Sequence, residues 1–132
     1  MEYTYGDLTA KVIAAAMEVH REPGCGFQEY VHQRALEIEF RLRAIPAVRE
    51  FEMPILYKGE HIATRSFDFV VESLLPVELK AIADLDKREL AQALNYLEAQ
   101  NVEIGLLINF GAQSLQVKRL YNKHYRPIIL NR

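Results

Sequence analysis

Residues 102–110, VEIGLLINF, form a short and nearly continuous apolar run, and this run limits the folds open to the chain more than any other stretch. A strand with one face in water alternates apolar and polar side chains, whereas a strand covered on both faces need not. The run therefore predicts a central strand. Just before it, DLDKRELAQALNYLEAQN returns apolar residues at helical spacing, with Leu90, Ala93, Leu94 and Leu97 as the core stripe and Asp84 or Asp86 as the N-cap. A helix between two strands is a crossover, and the right-handedness of such connections sets the two strands parallel in one sheet.

The strand on the other side of that crossover lies in residues 67–80, FDFVVESLLPVELK, which read as a β-hairpin joined through Ser73-Leu74-Leu75. Alternation sends Phe67, Phe69 and Val71 to one face and Asp68, Val70 and Glu72 to the other. In the second run Val77, Leu79 and Ala81 enter one layer while Glu78 and Lys80 point to the opposite side. A three-residue connection sets Lys80 roughly across from Asp68, so that two carboxylates and an amine converge. Hard divalent cations such as Mg²⁺ take oxygen ligands, commonly one or two carboxylates with water and substrate phosphate in the remaining positions. Asp68 and Glu78 are candidate ligands. Lys80 is the candidate to hold the attacking water or to offset charge on the phosphate. The bland alternative for Glu-x-Lys is an exposed pair on a half-solvated strand.

Upstream, residues 7–22 place Leu8, Val12, Ala15, Ala16 and Val19 at helical spacing, with Asp7 as N-cap and Pro23-Gly24 ending the helix near His20. A second helix follows in FQEYVHQRALEIEFRLRA, with Phe27, Val31, Ala35, Ile38 and Leu42 on its core face. Glu29 lies in its first turn, where it either stabilises the helix end or reaches the site as a third carboxylate. From Val48 the period becomes that of strands, with Lys58-Gly59 as a hairpin turn and Pro54 marking an edge strand or a bulge. SLQVKRLY alternates as the last strand, with Val117 and Leu115 inward. Gln92 and Tyr96, one turn apart, lie beside the apolar stripe of their helix and can face the strand of Glu78 and Lys80. The expected order is α-α-β-β-β-α-β-β, an α/β fold of three layers with a mixed sheet between helices. Such layers bury Glu78 and Lys80 unless a cleft stays open, and burying unpaired charge is costly, which weighs against the bland alternative.

At 132 residues and 50% hydrophobic content the chain suits one domain spanning 1–132 with a core that needs no staples. One cysteine, Cys25, excludes an internal disulfide and a cysteine-rich zinc site and suits a reducing cytoplasm. The start, MEYTYGDLT, lacks the basic and apolar regions of a secretory signal, and no apolar run approaches the roughly 20 residues that span a bilayer, so no membrane partner is expected. A net charge of −2 gives no bulk attraction to nucleic acid. Locally, Lys118, Arg119, Lys123, Arg126 and Arg132 crowd the last fifteen residues with Tyr121 and Tyr125 between them. That pattern fits phosphate-backbone contact or a solvated terminal segment equally.

These residues, in this order, resemble the PD-(D/E)XK nuclease superfamily and, within it, the small GxxExxY proteins. Gly26 and Glu29 match the Gly and Glu of that name, and His32 stands at its Tyr. Phe67-Asp68 resembles the degenerate Pro-Asp, Glu78-Leu79-Lys80 the (D/E)XK element, and Gln92 to Tyr96 the QxxxY element. IGLLINFGAQSLQVKRL is similar to the closing strands. The resemblance implies a restriction-endonuclease-like core and Mg²⁺- or Mn²⁺-dependent hydrolysis of phosphodiester bonds. It assigns metal binding to Asp68, Glu78 and the Leu79 carbonyl, and water orientation or charge stabilisation to Lys80. Glu29 completes the acidic set, Gln92 positions Lys80 or substrate, and Tyr96 lines the cleft. DNA is the expected substrate, contacted also by Lys118 and Arg119. Since so short a chain offers little surface to flanking duplex, a homodimer is the expected means of enlarging it. The competing expectation is a catalytically silent module that keeps the fold and binds nucleic acid or a protein partner through its basic-aromatic end.

Overall fold

The computed structural model describes residues 5–127. Its elements run α1 (Gly6–Arg21), α2 (Glu29–Leu42), β1 (Ala47–Tyr57), β2 (Glu60–Val71), β3 (Leu75–Lys80), α3 (Lys87–Ala99), β4 (Ile104–Asn109) and β5 (Gln116–Tyr121). One sheet contains the strands in the order β1-β2-β3-β4-β5, all antiparallel except β3 and β4. The α/β fold, the order of its elements and the parallel crossover are those expected from the sequence. Among the described residues no helix is long and apolar enough to cross a membrane.

The central position of β4 explains its composition, since all six of its residues are buried. On one face, Leu106 and Ile108 join Val77, Leu79, Phe69 and Val71 beneath α1 and α2. On the other, Leu97 of α3 covers Phe67 and Val70 in a smaller cluster with Met53, Leu94, Val102 and Leu120 around it. Small side chains let α1 lie close to its neighbours, with Ala15 and Ala16 fully buried. The expected N-cap, Asp7, lies instead inside the first turn of α1, because the helix starts at Gly6 with Tyr5 at the N-cap position. Asp86 caps α3 through a capping box with Glu89. The long β1–β2 hairpin turns at Lys58-Gly59, both at positive φ (49° and 83°), the backbone that a two-residue turn between twisted strands demands. Pro54 lies on β1, the edge strand, next to a register shift between Ile55 and Leu56.

Three further local expectations are corrected. The buried stripe of α2 is His32, Gln33, Leu36 and Phe40, while Phe27, Ile38 and Leu42 of the expected stripe are exposed. Both stripes have helical spacing, and ring packing selects between them. Phe40 meets Phe69 edge-on at 5.1 Å between centroids, and His32 stacks on Phe110 at 4.7 Å. Next, the hairpin connection is Glu72-Ser73-Leu74, one residue earlier than expected, because Glu72 and Ser73 take the left-handed conformation (φ 54° and 58°) and Leu74 N–H bonds the Val71 carbonyl at 3.0 Å. Finally, Phe67 does not share a face with Phe69 and Val71 but packs under α3. Alternation reverses at Asp68, where the ladder to β1 passes over Glu50, a non-glycine residue at φ 54°.

Candidate active site

The shifted connection sets the register of the site. Pairing between β2 and β3 runs Val71↔Leu75, Val70↔Pro76, Phe69↔Val77 and then stops. Continued by one step, it brings Glu78 rather than Lys80 alongside Asp68. Beyond Phe69 the strands part, and the side chains take over the missing ladder. Asp68 N–H donates to Glu78 Oε1 at 3.0 Å, and Leu79 N–H donates to Asp68 Oδ2 at 2.8 Å. Each carboxylate thus satisfies a main-chain donor that the separated strands leave without a carbonyl. Asp68, at the reversal of alternation, points into the gap rather than onto one face, and Gln33 Nε2 of α2 donates to its Oδ1 at 2.9 Å.

The rotation of α2 that buries Phe40 also turns Gln33 and Glu29, one helical turn apart, towards this gap. Glu29, Tyr30, Gln33, Glu50 and Asp68 line a surface depression there. From the opposite face comes Arg65. Its Nη2 donates to Glu78 Oε2 at 2.8 Å, and its guanidinium lies over the Tyr96 ring at 4.0 Å from the centroid. Tyr96 therefore adjoins the carboxylates through Arg65. Gln92, one turn earlier on α3, is exposed.

Lys80 ends β3, its carbonyl accepting from Phe110 N–H at 2.8 Å. Immediately after it the chain is clamped by Asn109, whose Oδ1 accepts from the N–H groups of Ile82 and Gly111 and whose Nδ2 donates to the Ile82 carbonyl. The clamp is tight, since a Cβ on Gly111 would meet the Ile82 carbonyl oxygen at 2.3 Å. Among the described residues Lys80 makes no ion-pair contact. Its charge still acts on Glu29, Asp68 and Glu78, lowering the pKa of each.

Those favourable charges do not balance the site. Burial, reinforced by the Asp68 charge, pushes Glu78 up to about 7 against the pull of Arg65, the Asp68 N–H and Lys80. Burial also raises Asp68, opposed by its hydrogen bonds from Leu79 and Gln33 and by Arg65 and Lys80. Partial burial and then the Asp68 charge raise Glu29 as well. Burial disfavours the charged form of all three acids, and the Asp68 charge adds to this at Glu78 and Glu29, both of which a bound cation would oppose.

No group of three or more His, Cys, Asp or Glu among the described residues is gathered to hold a metal unaided. Two carboxylates and water nevertheless suffice for a hard cation, and the donors at the gap are all oxygen. Leu79 adds one more. Its N–H points towards β2, and in an extended strand the carbonyl of the same residue points the same way, into the gap. Asp68, Glu78 and Leu79 thus fit Mg²⁺ or Mn²⁺ in donor chemistry.

The two basic candidates on β5 diverge. Lys118 lies in one lateral row with Leu107 and Glu78, two strands away on the same face. Arg119 turns to the other face and donates to Thr9 Oγ1 of α1. Arg132 lies outside the described residues, as does most of RPIILNR.

Sequence reasoning missed Gln33, Arg65 and Asn109. Only Gln33 carried a signal, its spacing of four from Glu29. Arg65 was hidden by the reversal at Asp68, which puts it on the face of Glu78 against strict alternation. Comparison with known proteins gave no match among curated proteins or solved structures. A family model described as the PD-(D/E)XK nuclease superfamily matches residues 6–120, a span containing every site residue from Glu29 to Arg119. As that match covers most of the chain, the protein belongs to the PD-(D/E)XK nuclease superfamily.

Proposed function

We propose that the protein hydrolyses phosphodiester bonds in DNA with Mg²⁺ or Mn²⁺ as cofactor, and that it belongs to the GxxExxY branch through Gly26, Glu29 and the variant His32. The observation that carries this reading is the meeting of Asp68 and Glu78 where β2 and β3 part, with Lys80 next along the strand. The bound metal supplies Lewis acidity and lowers the pKa of its water. Asp68, Glu78 and the Leu79 carbonyl hold it, and Glu29 adds negative charge at the mouth. Lys80, free of an ion-pair contact, has its ammonium available to orient the attacking water or to stabilise charge on the phosphorus oxygens. Gln92 orients Lys80 or substrate, and Tyr96 lines the cleft. Lys118, in the row of Glu78, contacts the backbone of the bound strand, and Arg119 contributes through the same strand. A homodimer supplies the remaining DNA surface, and the cytoplasm is the site of action.

Purified protein tests this on single-stranded, duplex and branched DNA with Mg²⁺ or Mn²⁺, beside Lys80→Ala prepared identically. Cleavage by the wild type that needs metal and is lost in Lys80→Ala supports the reading. Equal products from both proteins, or none from either, overturn it and favour the silent binding module.

A further inference from the structure

The ion pair nearest the proposed metal position raises a question of occupancy. Both oxygens of Glu78 already have donors: Oε1 takes the Asp68 N–H, and Oε2 takes Arg65. Arg65 is the only residue among those described that makes an ion pair with Asp68 or Glu78. It sits on β2 beyond the last β2–β3 pair, so the strand that carries it is not tied to β3 at that point. Its side chain is 26% exposed, its Nε is buried without a hydrogen-bond partner, and the flat Tyr96 ring supports the guanidinium without fixing its orientation by hydrogen bonds. The guanidinium is thus held by one carboxylate oxygen and one aromatic face, with one N–H unsatisfied and part of the side chain reaching solvent.

We infer that Arg65 is the built-in countercation of the metal-free site and competes with the divalent ion for Glu78, leaving Oε2 and sliding along the Tyr96 ring when the metal enters. This rests on the assignment of Asp68 and Glu78 as metal ligands. A divalent ion on Glu78 and the guanidinium of Arg65 repel each other across a largely buried carboxylate, so occupation by one disfavours the other. The arrangement gives Glu78 a partner at low metal and frees a guanidinium beside the site once metal arrives. By reciprocity, whatever draws Arg65 away from Glu78 tightens metal binding by the same factor by which metal frees Arg65.

The test is Mn²⁺ binding by isothermal titration calorimetry at pH 8 on the full chain as wild type, Arg65→Gln and Tyr96→Leu. Arg65→Gln is expected to bind Mn²⁺ about tenfold more tightly than wild type, and Tyr96→Leu, which keeps the guanidinium but removes its platform, about two- to threefold more tightly. In the wild type, Mg²⁺ is expected to shift the NMR resonance of the Arg65 Nε–H, a readout that needs neither variant to fold. Wild-type binding with equal or weaker affinity in Arg65→Gln, or an Arg65 signal unmoved at saturating Mg²⁺, overturns the competition and leaves the metal ligands standing. No Mn²⁺ binding by any of the three proteins overturns the ligand assignment and this inference together.

Discussion

Glu78→Gln isolates the charge that the fold holds under burial. A carboxyl whose midpoint rises from its ordinary 4.5 to about 7 on folding binds its proton more tightly in the native state than in the unfolded one. Its stabilising contribution is therefore complete below pH 4.5 and is lost as pH rises through 7. At about 1.4 kcal/mol per pH unit, the loss reaches at most about 3 kcal/mol by pH 8. With the side chain only 13% exposed, solvent screening removes little of this. Glutamine keeps an oxygen for the Asp68 N–H and cannot ionise. Asp68 and Glu29, also raised, remain in both proteins and largely cancel from the comparison. In metal-free buffer the thermal midpoint of the wild type should fall relative to Glu78→Gln between pH 5 and pH 8, by about 10 °C for a chain of this size. Excess Mg²⁺ at pH 8 should return the wild type towards its pH 5 midpoint and leave the variant unmoved. Parallel melting of the two proteins across this range, within about 2 °C, would refute the claim that burial and the Asp68 charge dominate the ionisation of Glu78.

Other perturbations act on the supports of the site. Asn109→Ala strips the N–H groups of Ile82 and Gly111 of their acceptor and should cost about 2–4 kcal/mol in urea unfolding, with no resolved loss contradicting the clamp. Gly111→Ala drives a methyl into the Ile82 main chain and should destabilise by more than about 3 kcal/mol, read from the same curves. His32 is fully buried with neither ring nitrogen hydrogen-bonded, and burial lowers its pKa. His32→Phe, which keeps the stack on Phe110, should therefore raise stability by about 1 kcal/mol, and a lower thermal midpoint would show that those nitrogens have partners.

The course of the chain was legible where one physical signal had no rival. The unbroken apolar run of β4 meant burial on both faces, Pro54 meant an edge, and Lys58-Gly59 meant a tight turn. In α2 two stripes of equal spacing competed, and only the rings supplied by Phe69 and Phe110 chose between them. The hairpin of β2 and β3 was read correctly as a hairpin, but its turn moved by one residue because Glu72 and Ser73 accept left-handed backbone, a choice that side-chain type does not announce. That single step exchanged Lys80 for Glu78 opposite Asp68. The acids and the lysine were visible as a pattern. Arg65 and Gln33, which hold those acids, depend on the kink at Asp68 and on the rotation of α2, and both are products of packing.

Where a carboxylate oxygen replaces a carbonyl in a sheet, the acid belongs to the architecture whether or not a reaction takes place beside it. Asp68 and Glu78 each give one oxygen to the main chain and one to a side chain. Even without the proposed chemistry, acceptor oxygens at both positions would be needed to close the parted strands. Lys80 has no such second employment, since its ammonium makes no ion-pair contact among the described residues. The two acids therefore carry a structural duty independent of catalysis, whereas the proposed duty of Lys80 is chemical alone.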